Sequence, residues 1–336
     1  MSETVAVIGA GSWGTTLADL LARKGNTVRL WSYEEDVTEA IRSEGANTIY
    51  LPEIPLAESL SATSDLAEAL DGARIVVSVS PSQHVRTVMS QAAPHVDRDA
   101  LIVSASKGIE TRTLETMAEV LEDALPDLKS RRFCFLSGPS FAAEVARKHP
   151  TAVTVASRDS DAAERAQLLF QTEYFRVYTS HDVTGVELGG ALKNVMALAA
   201  GMVAGLGFGH NTMAALITRG LAELNRLALA LGAGERTLAG LSGMGDLILT
   251  CTGDLSRNRT VGYELGQGRT LDEVLSSMRM VAEGVETTRA AHELAAREDV
   301  EMPIVAQVHA VLFEDRPPAD AVRSLMMREP KAEFWA

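Results

Sequence analysis

A chain of 336 residues, 46% hydrophobic and 23% charged, has the composition of a folded globular protein and is long for a single core. Its formal net charge of −14 argues against nucleic acid or an anionic membrane surface as partner. A phosphate ligand would therefore need a positive field supplied by its own site.

The chain enters Val5-Ala6-Val7-Ile8, a short buried strand, with no basic segment or apolar leader expected ahead of it. Gly9-Ala10-Gly11-Ser12-Trp13-Gly14 follows, and the glycines at 9, 11 and 14 have the G-x-G-x-x-G spacing of a dinucleotide site. Gly9 permits the tight strand-to-helix turn. Gly11 leaves room for a pyrophosphate against the backbone, and Gly14 lets the helix from Thr15 to Lys24 pack closely on the strand. The N-terminus of that helix offers N–H groups and a positive dipole end to phosphates. Thr27 to Trp31 is the second strand. NAD binders usually place an acid at its end, and NADP binders have an Arg nearby. Here the chain reads Ser32-Tyr33, with acids only from Glu34, and those acids also suit the next helix's N-terminus. The choice between NAD and NADP stays open.

Apolar strands then alternate with helices. Val76 to Val79 precedes a helix from Ser82, and Leu101 to Ser104 a helical segment from Thr113 to Ala124. Phe133 to Leu136 leads into a short helix at Ala142 to Val145, and Thr151 to Ala156 and Phe175 to Tyr178 enclose one starting near Asp159. This is the pattern of an α/β fold, a Rossmann-like, mostly parallel sheet covered on both faces, with functional loops at the carboxyl ends of its strands. From His181 onward strand signals nearly vanish, and helices are expected over 186–207, 212–231, 257–265 and 287–298, with others from Met302 and Ala319. The expected organisation is a dinucleotide-binding domain over 1–180 and an all-helical substrate domain over 181–336. The apolar run Val195 to Phe208 is too short and too rich in glycine for a membrane span and reads as a buried helix. The only cysteines, Cys134 and Cys251, lie in no metal-ligand spacing. Packing roles in a reducing compartment such as the cytoplasm are expected of them, and no metal site.

Three constellations rise above this background. Lys107 follows a strand's carboxyl end, where a point charge can serve an anion, although a solvated surface Lys is the plainer reading. Ser137-Gly138-Pro139-Ser140 ends another strand and opens a helix. Lys193 and Asn194 interrupt a long apolar helix, where a charge must be paired or its pKa must fall. Two later segments complete a site. Asp246 sits in a Gly-rich loop, able to orient an ammonium, and Ser256-Arg257-Asn258 reads as a helix cap followed by two groups able to grip a phosphate.

In this order and spacing the chain resembles the bacterial type of NAD(P)-dependent glycerol-3-phosphate dehydrogenase, over nearly its whole length. The residues that carry the likeness are Gly9 to Gly14 with Ser12-Trp13, Ser137 to Phe141, Gly189 to Asn194, Gly245-Asp246-Leu247 and Ser256-Arg257-Asn258. The resemblance implies dinucleotide contacts at Ser12, Trp13, Lys107, Ala142, Arg257, Val281 and Glu283. It implies glycerol 3-phosphate contacts at Lys107, Gly138, Ser140, Lys193, Asp246, Ser256, Arg257 and Asn258, with Lys193 as proton acceptor. It favours NADPH, yet relatives often carry a basic residue or His where this chain has Tyr33, and that departure weakens the case at this position. The implied reaction is reversible hydride transfer between NAD(P)H and dihydroxyacetone phosphate, a small phosphorylated triose, supplying phospholipid synthesis. A homodimer is compatible with the sequence, which does not fix the oligomeric state. The alternatives are a related dehydrogenase of the 6-phosphogluconate or hydroxyisobutyrate type and a non-catalytic nucleotide-sensing module.

Overall fold

The computed structural model describes residues 2–129, 132–278, 282–330 and 332–333. Eight strands form one sheet: β1 (Thr4–Ile8), β2 (Thr27–Trp31), β3 (Leu60–Thr63), β4 (Ile75–Ser78), β5 (Leu101–Ser104), β6 (Phe133–Ser137), β7 (Thr151–Ala156) and β8 (Phe175–Ser180). Their order is β3-β2-β1-β4-β5-β6-β7-β8, and every pairing is parallel except β6 with β7. The order reverses between β1 and β4, which opens a crevice at their carboxyl ends, the place where α/β sheets bind ligands. Alternation along β1 sends Val5 and Val7 into one core layer and Ala6 and Ile8 into the other, so both sheet faces are covered. The covering helices are α1 (Ser12–Arg23), α2 (Glu35–Glu44), α3 (Leu66–Leu70), α4 (Val85–Ala92), α5 (Met117–Ala124), α6 (Ala142–Ala146) and α7 (Ser160–Phe170).

Beyond β8 the described residues are helical: α8 (Val183–Gly205), α9 (His210–Ala230), α10 (Asp246–Thr252), α11 (Arg257–Gly266), α12 (Leu271–Ser276), α13 (Glu283–Arg297), α14 (Pro303–Phe313) and α15 (Pro318–Met326). Their shared core is built on α8, whose Leu188, Leu192, Val195, Met196 and Leu198 are sealed from solvent. The helix begins at Val183, earlier than the sequence pattern implies, so it is long and apolar enough to cross a membrane by length and composition. Burial sets it apart, because 94% of its most apolar stretch lies inside the protein.

Helices α8 and α11 touch backbone to backbone. A methyl group on Gly201 would lie 2.0 Å from the Arg259 carbonyl oxygen, and one on Gly262 the same distance from that of Leu198. Gly205 and Gly266 continue the contact one turn further. Only glycine fits there, and the resulting seam fixes where the N-terminus of α11 stands relative to Lys193 on α8.

The sequence pattern misses β3, α3, α10 and α12. These are short elements of four, five, seven and six residues, over which hydrophobic periodicity carries little signal. The helix expected from Thr113 starts at Met117, because Thr116 and Glu119 form a capping box there. Asp246 is also placed differently from its expected loop. Leu241–Gly245 winds as a single π-helical turn, and Asp246 is the first residue of α10. A methyl on Gly243 would lie 2.1 Å from the Leu238 carbonyl oxygen, so its glycines let this turn pack close enough to continue into a helix.

Candidate active site

The glycine turn has the form its spacing implies. Gly9 adopts φ +119°, and a methyl there would lie 2.9 Å from the Val79 carbonyl carbon, at the end of β4. A methyl on Gly14 would lie 1.8 Å from the Gly9 carbonyl oxygen, while Gly11 faces open space. No side chain caps the first turn of α1 and no acid lies in it. The turn thus presents an uncapped helix N-terminus at the crevice, which fits a pyrophosphate. Ser12 donates to the Tyr50 carbonyl oxygen at 2.5 Å, Trp13 packs against Phe175 with ring centroids 6.3 Å apart, and the Ala142 carbonyl accepts from Thr16 at 3.3 Å. Tyr33 stands 81% exposed beyond the end of β2, in edge contact with Trp31.

At the other end of the crevice the two halves of the chain share one carboxylate. Asp246 accepts the Lys193 ammonium on Oδ1, and Lys107 on Oδ2 at 2.7 Å. Lys107 also donates to the Gly138 carbonyl at 3.2 Å, whose oxygen accepts the Ser140 hydroxyl at 3.0 Å. The loop after β5, the loop after β6, α8 and α10 thereby meet at a single point. Gly190 makes this possible, since a methyl there would lie 2.5 Å from the Ser137 hydroxyl and 3.6 Å from Lys107 Cδ.

Lys193 is 7% exposed. Burial pushes its ammonium down to about 8; the Asp246 charge opposes that fall and the Lys107 charge adds to it. Asn194 beside it is buried, with no hydrogen bond from its side-chain amide among the described residues. Thr250, one turn along α10, donates to the Asp246 carbonyl at 2.6 Å and approaches Oδ1 at 3.4 Å. It is a supporting residue that the sequence reading overlooked, and its signal is a hydroxyl four residues after the acid in an otherwise apolar helix.

The third part is the N-terminus of α11. Ser256 caps it, accepting from the Arg259 N–H at 3.3 Å, and Asn258 Oδ1 accepts from the Gly284 N–H at 2.9 Å. Arg257 is exposed and has no ion-pair or hydrogen-bond partner among the described residues. Glu283, the first residue of α13, accepts from the Ser82 N–H at 3.2 Å across the crevice. Burial raises its carboxyl above the usual range, against the charges of Arg257, Lys107 and Lys193. Lys107, Gly138, Ser140, Lys193, Asp246, Ser256, Arg257, Asn258 and Glu283 thus form one connected region. Tyr33 stands apart from it, at the end of β2, and Val281 lies outside the described residues. Cys134 and Cys251 are buried free thiols, each pushed up to about 12 by burial, consistent with packing roles. Among the described residues no group of three or more His, Cys, Asp or Glu side chains could hold a metal ion.

Comparison with known proteins gives the family. Residues 4–163 match the model of the NAD-dependent glycerol-3-phosphate dehydrogenase N-terminus, and residues 182–323 that of its C-terminus. A glycerol-3-phosphate dehydrogenase [NAD(P)+] of Syntrophotalea carbinolica is 58% identical over 330 residues, 98% of this chain and 99% of its own. One from Geobacter sulfurreducens is 58% identical over the full length of both chains. The crystal structure of glycerol-3-phosphate dehydrogenase from Coxiella burnetii superposes with a TM-score of 0.93 at 42% identity, covering 97% of this chain and 99% of that one. The chain belongs to the NAD-dependent glycerol-3-phosphate dehydrogenase family.

Proposed function

We propose that the protein interconverts dihydroxyacetone phosphate and sn-glycerol 3-phosphate, using NADH or NADPH. The observation that carries the reading is the buried Lys193 amine, clamped by Asp246 beside Lys107 at the carboxyl edge of the sheet. The glycine turn, with Ser12, Trp13 and Ala142 around the start of α1, would hold the cofactor, whose nicotinamide supplies or takes up the hydride at C2. Lys193, as ammonium, donates a proton to the C2 oxygen in the reducing direction, and its neutral form removes the hydroxyl proton in the other. Asp246 aims the amine. Lys107 keeps the amine's affinity for its proton low and adds positive charge beside the carbonyl, with Gly138 and Ser140 lining the same end. Arg257 and Asn258 hold the substrate phosphate at the capped N-terminus of α11, so binding at that end orients the reacting carbon. Closure of the crevice would exclude water from the transfer. In this reading the sheet domain ends near residue 180 and the helical half carries the proton chemistry. We place the reaction in the cytoplasm, where two unpaired thiols persist.

The test is Lys193→Met. Cofactor binding, followed by nicotinamide fluorescence, should survive, while turnover of dihydroxyacetone phosphate falls by about a thousandfold or more, roughly 4 kcal/mol of barrier. Near-normal turnover would remove Lys193 from its role. Faster turnover of the keto products of 6-phosphogluconate or hydroxyisobutyrate would redirect the reading to those substrates.

A further inference from the structure

The Lys107 ammonium reaches Asp246 from a loop, and a long flexible side chain holds a distant carboxylate only where the backbone beneath it is fixed. Three contacts fix it here. Gly108, at φ +151°, lies so close to the turn after β4 that a methyl group on it would stand 2.3 Å from the Ser82 hydroxyl. Ile109, though it follows β5, belongs to the buried core built on α8. The third contact is Gln83, the residue after Ser82. Its amide nitrogen donates to the Ile109 carbonyl at 2.8 Å, and its amide oxygen accepts both the N–H and the hydroxyl of Thr111 at 3.0 Å. A carbonyl on one side and two donors on the other admit a single orientation of that amide. Arg86 braces the far end of the same loop through Glu110 at 3.0 Å and Glu115, and ties it to Asp123 of α5.

We propose that Gln83 is a positioning residue for Lys107, holding the segment 108–111 so that the lysine's ammonium stands on Asp246 and the Gly138 carbonyl oxygen. Through Lys107 it acts on the buried amine. The charged and titratable groups around Lys193 are Asp246 and Cys251 from α10, Lys107 from the loop after β5 and Glu283 from α13. Lys107 is the cation of this set, and its charge helps burial to pull the amine's titration down. When Gln83 lets the loop go, Lys107 withdraws and Asp246 serves Lys193 alone. The amine then keeps its proton to higher pH.

The inference rests on the catalytic site proposed above, and its test reads the amine without turnover. The pH at which Lys193 becomes reactive is measured by trace acetylation with acetic anhydride and mass spectrometry. The proteins are the wild type, Gln83→Met, Lys107→Met and the double variant, with melting curves to confirm folding and the pH profile of glycerol 3-phosphate oxidation alongside. Gln83→Met keeps the length of the side chain and removes its three hydrogen bonds; should it not fold, Gln83→Asn, which withdraws the amide by one carbon, takes its place. Gln83→Met should displace the Lys193 titration toward alkaline pH by about half a unit or more, in the same direction as Lys107→Met. On the Lys107→Met background it should add nothing, because a residue that acts through the lysine has nothing left to act on. An unchanged titration in the folded Gln83 variant overturns the inference. So does a titration that Lys107→Met leaves in place, or an equal displacement by the Gln83 variant once Lys107 is gone. The expected displacements in a protein that does not turn over dihydroxyacetone phosphate support it and sink only the proposed reaction.

Discussion

Asp246→Asn isolates the electrostatics of the proposed centre, because the amide keeps the shape of the carboxylate and removes its charge. Lys193 and Lys107 now face each other without a counter-ion. Burial already holds Lys193 down to about 8 with Asp246 opposing. Loss of an opposite charge at contact distance displaces such a titration toward acid by about one to three pH units. At pH 7 roughly nine in ten wild-type molecules then carry the ammonium; in the variant the fraction drops to between about one half and one in a hundred. Reduction of dihydroxyacetone phosphate at pH 7 should fall by about two- to a hundredfold and recover as the assay is acidified. Oxidation of glycerol 3-phosphate should gain its neutral base at lower pH than in the wild type. The assay is the pH profile of kcat in both directions, with cofactor affinity as control. A uniform loss of rate at every pH, with both limbs where the wild type has them, would refute the reasoning, since misplacement alone lowers the plateau without moving the titration.

Two other perturbations test the framework around the centre. Gly262→Ala puts a methyl group 2.0 Å from the Leu198 carbonyl oxygen, so α11 must part from α8. The melting temperature should drop, by a destabilisation of about 1–3 kcal/mol, and the KM for dihydroxyacetone phosphate should rise more than that for the cofactor. Glu187, which accepts the Ala118 N–H at 2.9 Å from α8, has its carboxyl raised from 4.5 to about 8 by burial. Between those pH values the unfolded chain has lost a proton that the folded one keeps, so this group makes stability fall as pH rises. Glu187→Gln keeps an acceptor and removes that slope. It should stabilise the fold near pH 8 relative to the wild type by at most about 4 kcal/mol, read as a higher melting temperature, with little gain near pH 5.

The fold was legible where pattern and chemistry coincide. Val5 to Gly14 declares strand, turn and helix in ten residues, and Gly9 and Gly14 have steric reasons that the structure bears out, while Gly11 faces open space. Leu60 to Thr63 and Leu66 to Leu70 declare nothing, because a four-residue strand and a five-residue helix are stabilised by neighbours that are distant in sequence. The amine was legible as a charge inside an apolar helix. Its partner was legible as a residue type and not as a place. Nothing in Gly243-Met244-Gly245-Asp246 tells that Asp246 begins a helix or that both lysines reach it across 139 and 53 residues of chain. Those distances are closed by sheet register and by the glycine contacts of α8, which are properties of packing.

An acidic protein that handles two phosphorylated ligands has an electrostatic problem, and the proposed site meets it with its own local charges. A net charge of −14 would repel both ligands at long range, but charges farther than about 8 Å are largely screened at physiological ionic strength. What matters at the crevice is the local set: Lys107, Lys193 and Arg257 against Asp246 and Glu283. Asp246 is shared by two lysines, and Glu283 is partly relieved of its charge by burial. Arg257 is left uncommitted, at a helix N-terminus whose dipole has the same sign. Two lysines on one carboxylate leave a positive surplus at the amine, and burial with the Lys107 charge keeps the Lys193 proton within reach of neutral pH, while Arg257 adds a second positive charge at the N-terminus of α11.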